Sequence, residues 1–304
     1  MNKNISIENR IIKLKTEKKA VILAHNYQID EVQDIADFVG DSLQLSQEAA
    51  KIKNSIIVFC GVHFMAETAK IISPQRKVLL PDENAGCPMA DMITVKELVE
   101  FKAKYPDAVV VCYVNTTAGV KALSDICCTS ANAVRVVNSI PQDKQIIFVP
   151  DKYLGSYVQN QTGREMILWN GYCPTHAGIS VKSLASLKKE HPLADILVHP
   201  ECPPDVADFA DKVLSTGQML IFAKQSDKKE FIIGTEIGII HRLQKENPGK
   251  VFYPVSRHTI CPNMKLINLE KILWSLEEEK FEIILDKKII DGAKNAIERM
   301  LAIA

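Results

Sequence analysis

Three Cys-Pro pairs divide the chain into segments of nearly equal length, and this spacing constrains the fold more than any other feature. The pairs are separated by 86 and 88 residues, and they are Cys87-Pro88, Cys173-Pro174 and Cys261-Pro262. Two apolar runs and a serine recur between them in one order. The first run reads AVILAHNY, AVVVCYVN or ADILVHPE, the second reads SIIVFCG, KQIIFVPD or EFIIGTE, and the serines are Ser42, Ser130 and Ser215. Such patterns can coincide in α/β proteins, but four landmarks in one order favour a triplicated unit of about 87 residues.

Each unit has the pattern of alternating strands and helices. The apolar runs are continuous, which is typical of strands buried on both faces of a sheet. Helical stretches such as QLSQEAAKIK and TVKELVEFKAK lie between them, so we expect parallel sheets with helices on both sides. We predict an α/β fold of three similar three-layer α/β/α sandwich domains with parallel sheets, related by pseudo-threefold symmetry. The predicted units are residues 1–92, 93–180 and 181–264, with a helical tail, 265–304, packed on the first unit.

Composition excludes several classes of function. The 37 basic and 37 acidic side chains balance, so the chain has no electrostatic footprint for a nucleic acid or an anionic membrane. No apolar run approaches the ~18–20 residues that would span a bilayer, and the charged N-terminal segment lacks the apolar core of a signal peptide. We therefore expect a cytoplasmic protein with no nucleic-acid or membrane partner.

The eight cysteines are not expected to form a disulfide framework in a reducing cytosol. The absence of any CxxC pair argues against a zinc ribbon or a thioredoxin-type site. One Cys-Pro pair alone would be explained by packing at a strand end. Three in register favour a metal site, either an iron–sulfur cluster with one open iron or zinc bound by three cysteines and His176 or His258. The other cysteines are predicted to pack in the core: Cys60, Cys112, Cys127, Cys128 and Cys202.

Polar residues end the first apolar run of every unit. Ligands of open α/β sheets bind at the carboxyl ends of the strands, so three units around one axis would bring these residues into one space. They are His25, Asn26, Tyr27, Tyr113, Asn115, His199 and Glu201. Glu201 is the best candidate for a general acid–base, because an anionic carboxylate at such a position is otherwise costly. Matching positions of His25 and His199 favour proton transfer or carboxylate binding over a purely structural role.

The recurring serines lie where strands give way to helices. Asp41 and Ser215 each precede a glutamine by three residues, which predicts that both are N-caps in capping boxes. The N-terminus of a helix with a hydroxyl group is also an anion site. Ser42, Ser130 and Thr216 could therefore hold carboxylates or a phosphate at the centre.

Ten short segments resemble the quinolinate synthase family, the A protein of NAD biosynthesis, and run in family order over nearly the whole chain. They are AHNYQ, DIADFVGDSLQL, CPMAD, YVNT, CTSANA, CPTH, HPEC, STGQM, GTEIG and CPNMK. The resemblance implies that the family's [4Fe–4S] cluster is held by Cys87, Cys173 and Cys261, with one iron open. It implies condensation of iminoaspartate (iminosuccinate) with dihydroxyacetone phosphate to quinolinate, releasing phosphate and two waters.

The resemblance also assigns roles to individual residues. Tyr27, His199 and Glu201 would be catalytic. The residues that line the substrate site would be His25, Ser42, Tyr113, Asn115, Ser130, His199, Glu201 and Thr216. An aspartate oxidase or dehydrogenase in transient contact would supply the unstable imine. Some family members carry an additional C-terminal cysteine cluster, but no cysteine follows Cys261 here, so regulation through such a cluster is not expected.

Two other functions remain open at this stage. A non-catalytic iron–sulfur redox or sensor protein would use four protein ligands and exclude substrate, whereas three cysteines among polar groups fit this poorly. A simpler hydro-lyase using the same open iron would turn over without dihydroxyacetone phosphate.

Overall fold

A computed structural model describes residues 6–303 and contains three parallel sheets of four strands each. The first sheet has the order β2-β1-β3-β4. Its strands are β1 (Ala20–His25), β2 (Phe38–Gly40), β3 (Ile56–Cys60) and β4 (Lys77–Leu79). The helices of this part of the chain are α1 (Ile7–Glu17), α2 (Asp30–Ile35), α3 (Ser42–Lys51) and α4 (His63–Ile72).

The second sheet repeats this topology in the order β6-β5-β7-β8. A 3₁₀ turn at Ala90–Met92 and α5 (Val95–Ala103) precede it. Its strands are β5 (Val109–Tyr113), β6 (Ile126–Cys128), β7 (Ile146–Val149) and β8 (Ile167–Leu168). The helices that follow α5 are α6 (Ala118–Ala122), α7 (Ala133–Asn138), α8 (Lys152–Thr162) and α9 (Pro174–Ala177).

The third sheet has the equivalent order β10-β9-β11-β12. Its strands are β9 (Asp195–Val198), β10 (Lys212–Val213), β11 (Glu230–Gly234) and β12 (Val251–Pro254). The accompanying helices are α10 (Val181–Glu190), α11 (Pro204–Phe209), α12 (Thr216–Gln225) and α13 (Ile239–Glu246). The prediction of an α/β fold with three parallel sheets flanked by helices is therefore confirmed.

The strands are two to six residues long, and most of their residues are buried. The central strands β1, β5 and β9 have almost no exposed residue, as expected for parallel sheets covered on both faces. One large apolar core contains residues of all three sheets, and a smaller separate cluster around Ile196 and Ile232 lies in the third.

The C-terminal segment contacts two of the sheet units. After a 3₁₀ turn at Met264–Leu266, it forms α14 (Leu269–Glu278) and α15 (Lys287–Leu301). Helix α14 packs on α1 and β3, whereas α15 lies mainly against α6 and β6 and also touches α4. Gly292 permits the close approach of α15 to α6, since a Cβ there would lie 3.1 Å from atoms of Ala122. The tail thus joins the first unit to the second.

Membrane insertion by a helix is not indicated by the described residues. Among residues 6–303, no helix combines the length and the apolar character needed to cross a bilayer.

Candidate active site

A cavity lies where the three sheets meet, and it is lined by residues from all three units. Every side chain to which the family resemblance assigned a catalytic, substrate-binding or metal-binding role lines this cavity. These residues are His25, Tyr27, Ser42, Cys87, Tyr113, Asn115, Ser130, Cys173, His199, Glu201, Thr216 and Cys261. The structure therefore brings the candidates together, while the role of each remains a prediction.

The ends of the central strands position the acid–base candidates. His25 is the last residue of β1, Tyr113 is the last of β5, and His199 directly follows β9. Parallel strands in one sheet end at a common edge, and three such edges face the cavity, as the topology of open α/β sheets requires. The apolar strands thus carry their terminal polar side chains to a buried position.

Glu201 is the most densely contacted carboxylate of the cavity, and it is 4% exposed. Its Oε1 accepts a 2.5 Å hydrogen bond from the Tyr113 hydroxyl and a 3.4 Å bond from Asn115 Nδ2. Its Oε2 lies 2.8 Å from His176 Nδ1 and 3.9 Å from His199 Nδ1. Burial by itself raises the pKa of Glu201, but the two histidines and the Tyr113 hydroxyl lower it to about 2. The carboxylate is therefore ionised.

Burial favours the neutral forms of two histidines and two tyrosines near Glu201. Burial lowers the pKa of His25 and that of His199 to about 3, against the opposing effect of Glu201. Burial and the Glu201 charge raise the pKa of Tyr27 and Tyr113 well above the ordinary tyrosine value. Both phenols keep their protons and can donate hydrogen bonds to an anion.

His176 is a central residue that the sequence analysis considered only as a zinc ligand. It is 2% exposed and stacks on His199 with ring centroids 4.7 Å apart. Its Nδ1 lies 3.1 Å from Cys173 Sγ and 2.8 Å from Glu201 Oε2. One sequence signal could have indicated this role: His176 lies three residues after Cys173. In the single turn of α9 this spacing places the imidazole ring beside the Cys173 sulfur.

Thr235 links His176 to Tyr27, and sequence reasoning did not find it. The Thr235 hydroxyl lies 2.7 Å from His176 Nε2 and 2.5 Å from the Tyr27 hydroxyl. Together with Glu201, these groups form a continuous polar chain from Tyr27 to Tyr113. Such a chain can hold and move a proton between residues of different units.

The three cysteines that precede proline are partly exposed and line the cavity. Burial raises the pKa of all three thiols, that of Cys87 to about 12. Hydrogen bonds from backbone N–H groups two or three residues further along the chain lower the pKa of each of the three thiols. These donors belong to Met89 and Ala90, to His176, and to Asn263 and Met264. Three sulfurs with N–H donors around one cavity fit a thiolate-bound metal centre, whose binding would displace the thiol protons.

The other candidate ligands lie apart from the cavity. Cys60, Cys112, Cys127, Cys128 and Cys202 are buried and do not line it, in agreement with their predicted role in packing. His258 is exposed and does not line the cavity, so the structure gives no support to the version of the zinc hypothesis that uses His258. The other candidate histidine, His176, lines the cavity beside Cys173.

Two long helices begin at the cavity. Asp41 caps α3 in a capping box with Gln44, and Ser215 caps α12 in the same way with Gln218; both predictions are confirmed. The next residues, Ser42 and Thr216, line the cavity. The Thr216 hydroxyl already accepts a 2.9 Å bond from the buried Asn26 side chain.

Ser130 does not occupy the equivalent place in the second unit. Helix α7 starts only at Ala133, is six residues long and has no side-chain cap bond from Asn132. Asn132 Oδ1 instead accepts the Thr129 N–H at 2.8 Å, and this turn delays the start of the helix. Ser130 therefore lines the cavity from a turn, and the expectation of three similar helix N-termini was wrong at this position.

A buried ion pair connects Cys261 to Tyr27. Glu236 Oε1 accepts the Cys261 N–H at 3.1 Å and lies 3.0 Å from Lys265 Nζ. Lys265 also donates to the Tyr27 carbonyl oxygen. Gly238 is required here, because a Cβ would come within 2.8 Å of Lys265 Nζ and of the Tyr27 backbone. Glu236 thus braces the backbone around one of the three thiols.

The fold and the cavity together define an α/β enzyme with three thiols and an acid–base network in one buried site. The sequence model of the quinolinate synthetase A protein family matches residues 9–302 of this chain. The chain belongs to that family.

Curated relatives cover nearly the full chain. A quinolinate synthase of Dehalococcoides mccartyi (strain CBDB1) is 56% identical over 297 residues, 98% of each chain. A quinolinate synthase of Caldicellulosiruptor bescii is 53% identical over 296 residues, 97% of each chain. Quinolinate synthase 1 of Methanosarcina acetivorans is 53% identical over 294 residues, 97% of this chain and 96% of its own. The family resemblance found in the sequence is confirmed.

Proposed function

We propose that this enzyme condenses iminoaspartate with dihydroxyacetone phosphate to quinolinate, with loss of phosphate and two waters. The atoms balance without an added oxidant or reductant. The observation that carries the proposal is the ionised Glu201, held by Tyr113, Asn115 and His176 in a cavity that also contains three thiols. The names of the relatives support the same activity.

We further propose that Cys87, Cys173 and Cys261 hold one [4Fe–4S] cluster that has an open iron. The support is the soft donor set, one thiol from each unit, with backbone N–H groups directed at each sulfur. When bound, such a cluster supplies a Lewis acid that polarises a leaving hydroxyl group.

The remaining residues of the cavity bind and orient two anionic substrates. Ser42 and Thr216 lie at the N-termini of α3 and α12, where hydroxyl and backbone N–H groups together favour carboxylate or phosphate. Ser130 and Asn115 add neutral donors from the second unit. Neutral His25 and His199 can accept or donate hydrogen bonds without adding charge.

Proton transfer is assigned to the polar chain around Glu201. The Tyr27 hydroxyl faces Thr235 and His176, so a proton given up by Tyr27 can be replaced through Thr235 and His176. Glu201 is the base of this network, since it is ionised and contacts donors on both of its oxygens.

The arrangement of the units and the substrate supply form part of the same proposal. Residues 1–92, 93–180 and 181–264 would be related by pseudo-threefold symmetry, which the shared strand order supports. Iminoaspartate contains an imine that water hydrolyses, so an aspartate oxidase or dehydrogenase in transient contact would supply it. A cytoplasmic location accords with such a small-molecule pathway.

The test is an anaerobic assay of the full chain after cluster reconstitution, with both substrates and direct quantification of quinolinate. Glu201→Gln keeps the shape of the side chain and should lower kcat by about 10²-fold or more, with the cluster absorbance unchanged. Glu190→Gln, at an exposed helix end, is the matched control and should retain the wild-type rate.

Other outcomes would favour the two alternatives. Turnover of a hydroxy acid without dihydroxyacetone phosphate would identify a simpler hydro-lyase. Reversible reduction with no turnover, and a cluster spectrum unchanged by quinolinate, would identify a redox or sensor protein. A wild-type rate in Glu201→Gln would remove Glu201 from proton transfer.

A further inference from the structure

We propose that the cluster-free chain contains a mononuclear zinc site formed by Cys173, His176 and Glu201. The sulfur, nitrogen and oxygen atoms that these residues offer all lie within 4.8 Å of one another. Within residues 6–303, no other set of three histidine, cysteine or acidic side chains comes this close. The site shares Cys173 with the cluster of the proposed function, and only the competition between the two metal centres rests on that function.

The distances between the ligand atoms suit a small tetrahedral ion. Cys173 Sγ lies 3.1 Å from His176 Nδ1, and His176 Nδ1 lies 2.8 Å from Glu201 Oε2. Zinc bonds of about 2.0–2.3 Å place neighbouring ligand atoms roughly 3.3–3.7 Å apart. His176 Nδ1 therefore needs to move away from its two neighbours by roughly half an ångström to admit the ion. Cys173 Sγ and the Glu201 carboxylate already lie within 4.8 Å of each other.

The charges of the three ligands balance those of the ion. A thiolate and a carboxylate neutralise Zn²⁺, and imidazole adds no charge, so the buried centre is neutral overall. The side chains of His176 and Glu201 are only 2% and 5% exposed, a position where an unbalanced charge would be costly. Binding releases the thiol proton of Cys173 to solvent.

The outer contacts of the ligands already fit this role. When Nδ1 binds the ion, the imidazole proton moves to Nε2, where the Thr235 hydroxyl oxygen at 2.7 Å can accept it. The other carboxylate oxygen of Glu201 is held by the Tyr113 hydroxyl at 2.5 Å. Such partners orient metal ligands and raise their affinity. The fourth position faces the cavity and is left for water, as in zinc sites with three protein ligands.

The consequence is competition between two metal centres. Cys173 cannot bind zinc and complete a set of three cluster cysteines at the same time, and zinc would also take the carboxylate of Glu201. A zinc ion bound before cluster assembly would therefore block both assembly and proton transfer.

The experiment uses the full chain, freed of metal and reduced under anaerobic conditions. Zn²⁺ affinity is measured by competition with a chromophoric chelator, and Co²⁺ provides a spectroscopic signature of thiolate ligation. We expect one equivalent to bind. His176→Gln and Cys173→Ser should each lower the affinity by at least about 100-fold, and Thr235→Val by about 10-fold.

The matched controls separate the two centres. Cys87→Ser and Cys261→Ser should lose the cluster on reconstitution but bind Zn²⁺ with wild-type affinity. His176→Gln should show the reverse, with cluster absorbance retained. Thermal unfolding of each metal-free variant checks that the chain is folded, and Thr235→Val serves where a ligand variant does not fold.

Two results would overturn the site. Equal loss of zinc affinity in Cys87→Ser and Cys173→Ser would locate the ion on the three cysteines. Unchanged affinity in both His176→Gln and Thr235→Val would exclude the histidine as a ligand. If wild-type protein binds zinc as described but never assembles a cluster or forms quinolinate, the proposed function fails and the zinc site stands.

Discussion

Two groups of cysteines in this molecule have different surroundings. Cys87, Cys173 and Cys261 sit in loops after strands, each before a proline, and face a cavity shared by three units. Cys112 and Cys127 lie opposite each other on β5 and β6, fully buried within one unit. The first group is open to a ligand, and the second is enclosed by protein.

The enclosed region contains its own charge. Lys121 is fully buried, donates to the Thr116 carbonyl oxygen and lies 5.3 Å from the centre of the Phe64 ring. Burial acts to raise the pKa of Cys112, but the hydrogen bond with Cys127 and the charge of Lys121 lower it to about 7. A lowered thiol pKa is therefore no guide to a metal site in this protein. Access to a shared cavity distinguishes the two groups of cysteines.

The largest expected effect tests this distinction directly. Cys87→Ser should abolish the [4Fe–4S] absorbance and quinolinate formation, because two thiolates and a hydroxyl are a poor donor set for the cluster. Cys60→Ala, a buried strand cysteine outside the cavity, should retain wild-type iron and sulfide content per chain. Full cluster content in Cys87→Ser, or its loss in a folded Cys60→Ala protein, would break the comparison.

The enclosed region should contribute to stability and not to the cluster. Lys121→Met removes a buried ammonium group that donates to the Thr116 carbonyl oxygen and is attracted by the charge of Glu67. Leaving these buried polar groups without it costs about 1–3 kcal/mol in the free energy of unfolding. Urea unfolding of the cluster-free protein measures this cost. The double variant Lys121→Met/Glu67→Gln should recover part of the loss, since it removes the uncompensated charge. Cluster loss in Lys121→Met without any loss of stability would connect the two regions.

The smallest effect concerns pH. His25 and His199 have folded-state pKa values of about 3, against about 6.5 in the unfolded chain. Between these values the unfolded state binds more protons, so the unfolding free energy falls as pH falls. The slope is about 1.4 kcal/mol per pH unit for each histidine. This slope is measured by unfolding the cluster-free protein at pH 6 and pH 5, where most carboxyl groups of the unfolded chain are already ionised.

The double variant His25→Gln/His199→Gln should flatten this slope. His258→Gln, an exposed position, should leave the slope as in the wild type and serves as the control. An unchanged slope in the double variant would mean that the two cavity histidines are not buried in the neutral form.

Local patterns predicted most of the fold. The apolar runs that recur near Ala20, Ala108 and Ala194 became the central strands β1, β5 and β9, because continuous apolar residues have to be buried on both faces. The capping boxes at Asp41 and Ser215 form as predicted, since cap and glutamine are only three residues apart. Ser130 differs because the Thr129–Asn132 turn competes with the start of the helix.

The sequence by itself determined the repeated pattern of strands and helices, the helix caps and which three cysteines precede proline. The tertiary structure alone decided that His176 lies between Cys173 and Glu201, that Thr235 joins His176 to Tyr27, and that Glu236 braces Cys261. The physical reason is distance along the chain. Periodicity and caps depend on neighbours within a few residues. The contacts of His176 with Glu201 and of Thr235 with His176 and Tyr27 join side chains from different units, and the Glu236–Cys261 contact joins residues that are 25 apart, so they exist only once the sheets have formed and met.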